Sequence, residues 1–223
     1  MGTSAVSRRV PAGSRKSTRE QILDVAERLV QTRGFNGFSY ADVSTELAIT
    51  KASLHYHFPG KADLGLALIE RYTAVFAQAL ADIEATGTST ASRFERYVAL
   101  YVDVLKDGRL CLCGMLAAEF QTLPEPMQAA LRRFFDLNDS WLAKHFEAGR
   151  RDGHLRFDGA ARDVARMVSS ALEGAMLLAR PFGDSSRFTA AAERLFDQLA
   201  GTTATRRSPV ADRKSTRLNS SHT

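Results

Sequence analysis

The sequence predicts an all-α protein, and three observations carry that expectation. Apolar residues recur every three or four positions through most of the 223 residues. No stretch shows the period-two alternation of a half-buried strand. No glycine-rich phosphate loop breaks the helical pattern. At 44% hydrophobic content the chain can bury a real core, and its length allows a small head plus one larger domain. The expected architecture is an N-terminal three-helix head built on a helix-turn-helix, followed by a larger helical domain, about nine helices in all.

The first helix is expected from Ser17 to Arg33, with Ile22, Leu23, Ala26, Leu29 and Val30 at helical spacing, and it stops at Gly34. Ser39 is placed to cap a second helix, Tyr40 to Leu47, with Asp42 close to its positive end. Ala48-Ile49-Thr50 makes a bend, and Thr50 can cap a third helix of about two turns through His57. Ile49, Leu54 and Phe58 would bury that helix. Thr50, Lys51, Ala52, Ser53, His55, Tyr56 and His57 stay outward. Small hydrogen-bonding and cationic groups on one short helix suit a major-groove reader. An ordinary antiparallel helix pair with a solvated polar face is the competing reading.

The order of residues from Arg15 to Leu68 resembles the DNA-binding head of the TetR family of one-component regulators. Gly34-Phe35-Asn36-Gly37-Phe38-Ser39 looks like the family's link into helix two. Thr50-Lys51-Ala52-Ser53-Leu54-His55-Tyr56-His57-Phe58 is similar to its recognition helix, and Pro59-Gly60-Lys61-Ala62-Asp63-Leu64 leads into a long fourth helix. Ala48 and Ala52 stand where the family often has Gly, and His55 replaces a frequent Tyr. The resemblance implies a sequence-specific transcriptional regulator, a repressor released from double-stranded operator DNA by a small-molecule inducer, without a cofactor. The candidate DNA-facing set is Ser39, Thr50, Lys51, Ala52, Ser53, His55, Tyr56 and Lys61. Thr50, Ser53, Tyr56 and Lys61 are phosphate candidates, and Lys51 and His55 could reach base edges.

Charge agrees. Residues 1–61 hold nine Lys/Arg against five Asp/Glu, whereas residues 62–211 hold eighteen against nineteen, so the basic excess lies in the head, as phosphate contact requires. The expected organisation is a disordered basic arm (1–16), the helix-turn-helix domain (17–61), a ligand-binding and dimerisation domain (62–200) and a disordered tail (201–223). The arm is too polar for a signal peptide, and a cytoplasmic location without membrane association is expected. Residues 212–222 resemble the translation of a sequencing adapter, so 212–223 are read as an assembly artefact.

Helix four is expected from Lys61 to about Ala85, helix five through Phe94 to Leu105, and helix six from Leu110 to Phe120. A long seventh helix follows Pro124 and Pro126 and ends near Gly153. The eighth is expected from Ala160 to Phe182 and the ninth from about Ser185 to Leu199. Val164, Val168, Ala171, Ala175, Leu178 and Phe182 form a seam rich in small residues that permits close helix approach. With Leu195 and Leu199 it is the expected interface of a homodimer, whose helices eight and nine, by the family resemblance, form a four-helix bundle. Two-fold symmetry would present paired recognition helices to successive major grooves.

Tyr97, Tyr101, Cys111, Met115, Phe134, Trp141 and Met176 are candidates for lining an apolar ligand cavity, or for filling the core instead. Arg109-Leu110-Cys111-Leu112-Cys113-Gly114 is similar to a Gly-Cys-Leu-x-Gly segment in a subgroup of the family that answers to electrophiles and acrylate-like compounds. An electrophile or redox sensor using Cys111 is therefore an alternative. It would need a partly exposed thiolate with a depressed pKa, for which Arg109 could supply the positive field. Buried, inert cysteines are the other reading. An enzyme is disfavoured, because His145, His154, Asp152, Glu119 and Glu173 are not grouped by spacing and no nucleophile motif or metal-ligand pair occurs. A helical adaptor without DNA binding is disfavoured by the intact run from Thr50 to Lys61.

Overall fold

The computed structural model describes residues 16–201; the expected arm, apart from Lys16, and the expected tail beyond residue 201, with its adapter-like run, lie outside them. Among the described residues there are nine α-helices and no strand: α1 Thr18–Arg33, α2 Tyr40–Leu47, α3 Lys51–His57, α4 Lys61–Thr86, α5 Thr90–Lys106, α6 Leu112–Ala118, α7 Glu125–Arg151, α8 Ala161–Ala179 and α9 Ser186–Leu199. Single 3-10 turns, Phe120–Thr122 and Arg180–Phe182, follow α6 and α8.

Local chemistry sets the head's boundaries. Ser17 and Glu20 close a capping box at the start of α1, and Gly34 ends that helix at φ 85. Ser39 and Asp42 repeat the capping box on α2. Thr50 caps α3 by accepting the Ser53 N–H at 3.1 Å. The bend turns on Ala48, whose φ of 52 makes it the one described non-glycine residue in the left-handed region. Ile22, Ala26, Leu29 and Val30 of α1 join Val43, Leu54 and Phe58 in one buried core.

The body is a stack in which α7 packs on α4 and α8, and α8 on α9. α4 is the one described helix long and apolar enough to cross a bilayer by composition, but its Leu64, Leu68, Phe76, Leu80 and Ile83 are buried in the protein core. Gly65 lets α4 lie flush at the head–body junction: a Cβ there would stand 2.7 Å from Met127 Sδ and 2.8 Å from the Phe35 ring.

Two boundaries differ from expectation. α6 begins at Leu112, with Cys111 as its N-cap rather than inside it. α8 ends at Ala179, because Pro181 lacks the N–H that would continue the ladder and Gly183 turns the chain at φ 59.

The expected seam divides, with Leu178 and Phe182 exposed and its other members buried or half-buried. Val164, Val168 and Leu199 are buried inside the protomer, and Leu195 is half-buried against the same core, because α8 is flanked by both α7 and α9. Ala171 and Ala175 are half-buried. The outward apolar face of α8 and the turn after it carries Met167, Leu177, Leu178 and Phe182, each at least 50% exposed.

Candidate nucleic-acid interface and sensor cavity

The head presents α3 outward. Tyr56 is 85% exposed, and Lys51, Ala52, Thr50 and His55 are exposed around it, with Ser53 half-buried. Ser39, Lys51, His55 and Lys61 share one shallow cleft of about 430 Å³ beside Tyr40. The His55 ring packs at a tilt against Tyr40, 4.9 Å between centroids, and meets the Pro59 carbonyl through Nδ1 at 3.0 Å. A carbonyl only accepts, so Nδ1 carries the proton and Nε2 is free to face DNA. The Tyr40 hydroxyl donates to the Phe58 carbonyl at 2.9 Å, tying α2 to the end of α3, and burial pushes its pKa up to about 12.

Two of the expected DNA-facing groups also make bonds within the head. Lys61 Nζ donates to the carbonyls of Phe35 and Phe38, both at 2.5 Å, and sits over their rings at 4.6 and 4.4 Å. Burial lowers its pKa. It braces the α1–α2 link against α4, which engages two of its three N–H donors. Ser39 Oγ donates to Asp42 Oδ2 at 2.6 Å within the capping box, which holds that carboxyl low.

The body holds a cavity of about 290 Å³ between α6, α7 and α8. Leu110, Cys111, Met115, Phe135, Met176 and Leu177 supply its apolar wall, and Glu173 is its one charged side chain. Of the expected pocket residues, Cys111, Met115 and Met176 line it. Tyr97, Tyr101, Phe134 and Trp141 do not. Tyr97 donates to Asn138 Oδ1 at 2.8 Å and meets the Tyr101 hydroxyl at 3.0 Å. Trp141 stacks on Tyr97 at 5.6 Å, and Phe134 packs on Phe76 at 5.2 Å. These rings fill the core, and Asn138 satisfies the buried hydroxyls that come with them.

Cys111 is buried, and Gly114 donates its N–H to Sγ at 3.4 Å. The Tyr72 hydroxyl lies 3.8 Å away. Burial first, and then the charge of Glu173, push the Cys111 thiol well above its ordinary value, and Cys113 is likewise raised by burial. Arg109 is paired with Asp107 at 2.5 Å. The depressed thiolate required of an electrophile sensor is therefore not built here.

Glu173 was visible in the sequence only as a stray acid. In fact it is the sole acidic residue between Asp163 and Asp184, in the apolar C-terminal half of α8. Burial raises its carboxyl to about 7. Gly114 makes room for it, since a Cβ there would collide with the carboxylate.

The cavity's helix is bonded to the head at both ends. Before α6, Leu110 N–H donates to the Gln31 carbonyl of α1 at 3.2 Å. After it, Glu119 accepts the N–H of Phe35 at 2.6 Å and of Asn36 at 3.2 Å. Arg180, just past α8, bonds the Thr32 carbonyl. Among the described residues no cluster of three or more His, Cys, Asp or Glu is placed to hold a metal ion.

An exposed recognition helix on a three-helix head, carried by a helical body with its own cavity, defines a helix-turn-helix regulator with a sensory domain. The profile of bacterial regulatory proteins of the tetR family matches residues 22–68, and that of the tetracyclin repressor-like C-terminal domain matches residues 90–195. A TetR transcriptional regulator from Legionella pneumophila is 33% identical with a TM-score of 0.74, over 84% of this chain and 100% of that one. A TetR-family regulator from Agrobacterium tumefaciens is 32% identical with a TM-score of 0.79, over 82% of this chain and 97% of that one. The HTH-type transcriptional repressor NemR of Escherichia coli is 28% identical over 169 residues, 73% of this chain and 84% of its own length. The chain belongs to the tetR family: it is a DNA-binding transcriptional regulator and not an enzyme.

Proposed function

We propose that this regulator is a cytoplasmic homodimeric repressor that leaves its operator when a small molecule occupies the cavity between α6, α7 and α8. The observation that carries the reading is the double attachment of α6 to the head, through Leu110–Gln31 and Glu119–Phe35. A ligand against Cys111, Met115 and Met176 presses on a helix whose two ends hold the last turn of α1 and the link into α2. Coupling of this kind works only if the ligand binds the two states with different affinity.

On the DNA side, Thr50, Ser53 and Tyr56 are assigned to phosphates, Lys51 and His55 to base edges, and Ala52 to a methyl-sized contact. The second copy is assigned to the face of Met167, Leu177, Leu178 and Phe182, because a contiguous exposed apolar patch marks an interaction surface. Like-on-like pairing of α8 and α9 gives the two-fold symmetry that a near-palindromic operator needs.

A salt titration of the full chain, comparing the DNA upstream of its own gene with a scrambled duplex of equal length, tests the reading. Selective binding by a dimer supports it. Equal, steeply salt-dependent binding to both duplexes leaves only phosphate attraction and defeats it for that operator.

A further inference from the structure

Resting on that reading of the cavity, we propose that its ligand class is a small organic cation: an apolar body that fills the space beside Met115, Phe135 and Met176, carrying one ammonium group that pairs with Glu173. Three observations lead there. Glu173 Oε1 is sealed from solvent and has no hydrogen-bond partner. The remaining wall is overwhelmingly apolar, with two thioethers and a phenyl ring, soft and polarisable groups that tolerate an adjacent cation. Gly114 leaves the carboxylate room where it stands, since a Cβ there would collide with Glu173 Oε2.

An unpaired buried carboxylate is costly unless a charge or donor meets it. Among the described residues only a weak thiol donor, Cys111, reaches it, and no positive charge does. The groups around Glu173 are the Cys111 thiol, which hydrogen-bonds its carboxylate, Cys113 behind it, Tyr72 from α4, and Tyr97 and Tyr101 from α5. All are neutral at ordinary pH, because burial holds every one of them up. Along the same face Asp139 of α7 is engaged by Ser169 at 2.9 Å and by Arg166 at 3.8 Å, and Arg180 is spent on the Thr32 carbonyl. No described cation reaches Glu173, so a ligand's ammonium is the missing partner.

The sign of the pH dependence follows. With its carboxyl raised to about 7, Glu173 is mostly protonated in the empty cavity under mildly acidic conditions and mostly ionised under mildly basic ones. A cation binds the ionised form, so affinity rises with pH, by about tenfold from about pH 6 to about pH 8. Binding at the lower end releases a proton.

The test is calorimetric titration of the full chain with benzylamine, which stays protonated across this range, and with benzyl alcohol as a neutral probe of nearly the same shape. The expected result is benzylamine bound at least about tenfold tighter than benzyl alcohol at the higher pH, with the preference lost at the lower pH and lost in Glu173→Gln. Proton release, read by repeating the titration in buffers of different ionisation enthalpy, gives the same answer in the wild-type chain should that variant not fold. Equal affinity for the two probes, or a preference unmoved by pH, overturns the proposal. Operator binding measured in parallel separates the two readings: selective DNA binding with no amine preference sinks the cation site alone, whereas an amine preference without selective DNA binding defeats the proposed repressor role at that operator and leaves the cation site standing.

Discussion

The carboxylate of Glu119, which closes α6, accepts the backbone N–H of Phe35 at 2.6 Å across 84 residues of sequence. That bond, with its companion to Asn36, fastens the sensory domain to the turn that orients the recognition helix. Gly34 at φ 85 gives the carboxylate its approach, for a Cβ there would stand 2.8 Å from Glu119 Oε1. Glu119→Ala leaves two N–H groups without their charged acceptor, a loss of about 1–3 kcal/mol. The expected outcome is a lower urea midpoint together with operator affinity that no longer responds to an inducer. A variant that loses stability but keeps full inducer response would show that the Glu119 bonds do not carry the signal.

Lys51 and Lys61 share a cleft but differ in what holds them. Lys61 is bonded to two carbonyls inside the head, whereas Lys51 has no ion pair among the described residues. Lys61→Ala should therefore cost about 1–3 kcal/mol of folding stability and leave the slope of log affinity against log salt unchanged at equal folded fraction. Lys51→Ala should leave the melting temperature alone. If Lys51 reads base edges, it should cost about 1–3 kcal/mol at particular base pairs. Equal weakening on every duplex would make it a phosphate contact instead.

The turn between α2 and α3 stores strain at Ala48, at φ 52. A left-handed Ala costs about 1–2 kcal/mol relative to its preferred region, while Gly pays almost none of that but loses more backbone entropy on folding. Ala48→Gly should therefore stabilise the protein by about 0.5–1 kcal/mol, read as a raised urea midpoint with unchanged slope. Destabilisation instead would mean that the Ala48 methyl has a packing role that outweighs the strain.

Elements whose signals are local were legible in the sequence. Ser39 and Thr50 cap helices that begin one residue later, and Gly34, Gly87 and Asp107 end others, because a cap and its partner lie within four residues of each other; Ser17, expected as the first residue of α1, is its N-cap instead. The cavity was only half legible. Cys111, Met115 and Met176 could be named, yet the aromatic set with them turned inward, since a helical stripe fixes a face without fixing what the face meets. Glu119 and Glu173 acquire their roles from Phe35 and Gly114, partners distant in the chain, and nothing near them in sequence marks either.

Cys111 and Cys113 should be slow nucleophiles. Both thiols are buried and held above their ordinary pKa by that burial, and the thiolate is the reacting species. Iodoacetamide at neutral pH should label the native chain at least about tenfold more slowly than the chain in denaturant. The sign can be worked out directly: a raised folded-state pKa favours the neutral thiol, so native labelling should accelerate only as pH climbs beyond the range where an exposed cysteine already reacts fully. Fast labelling of native Cys111 at neutral pH, abolished in Cys111→Ser, would restore the electrophile-sensor reading.

The packing of α8 separates residues that stabilise one protomer from those available to a second. Leu178 is 67% exposed and Phe182 64%, whereas Val168 is 0% exposed, although all three belong to one spacing in the sequence. Leu178→Glu adds a charge to the proposed contact without touching the core, so it should convert the protein to monomers in sedimentation while barely moving the monomer's own stability. Val168→Ala opens a cavity inside the protomer and should cost about 1–2 kcal/mol, while the dimer persists at concentrations where the protein is folded. Loss of the dimer should also reduce operator binding far more than binding to a single half-site, because two recognition helices can no longer engage successive grooves together. The opposite pattern, a dimeric Leu178→Glu and a monomeric Val168→Ala, would place the second copy on another face and leave the Leu177–Phe182 patch for a different partner.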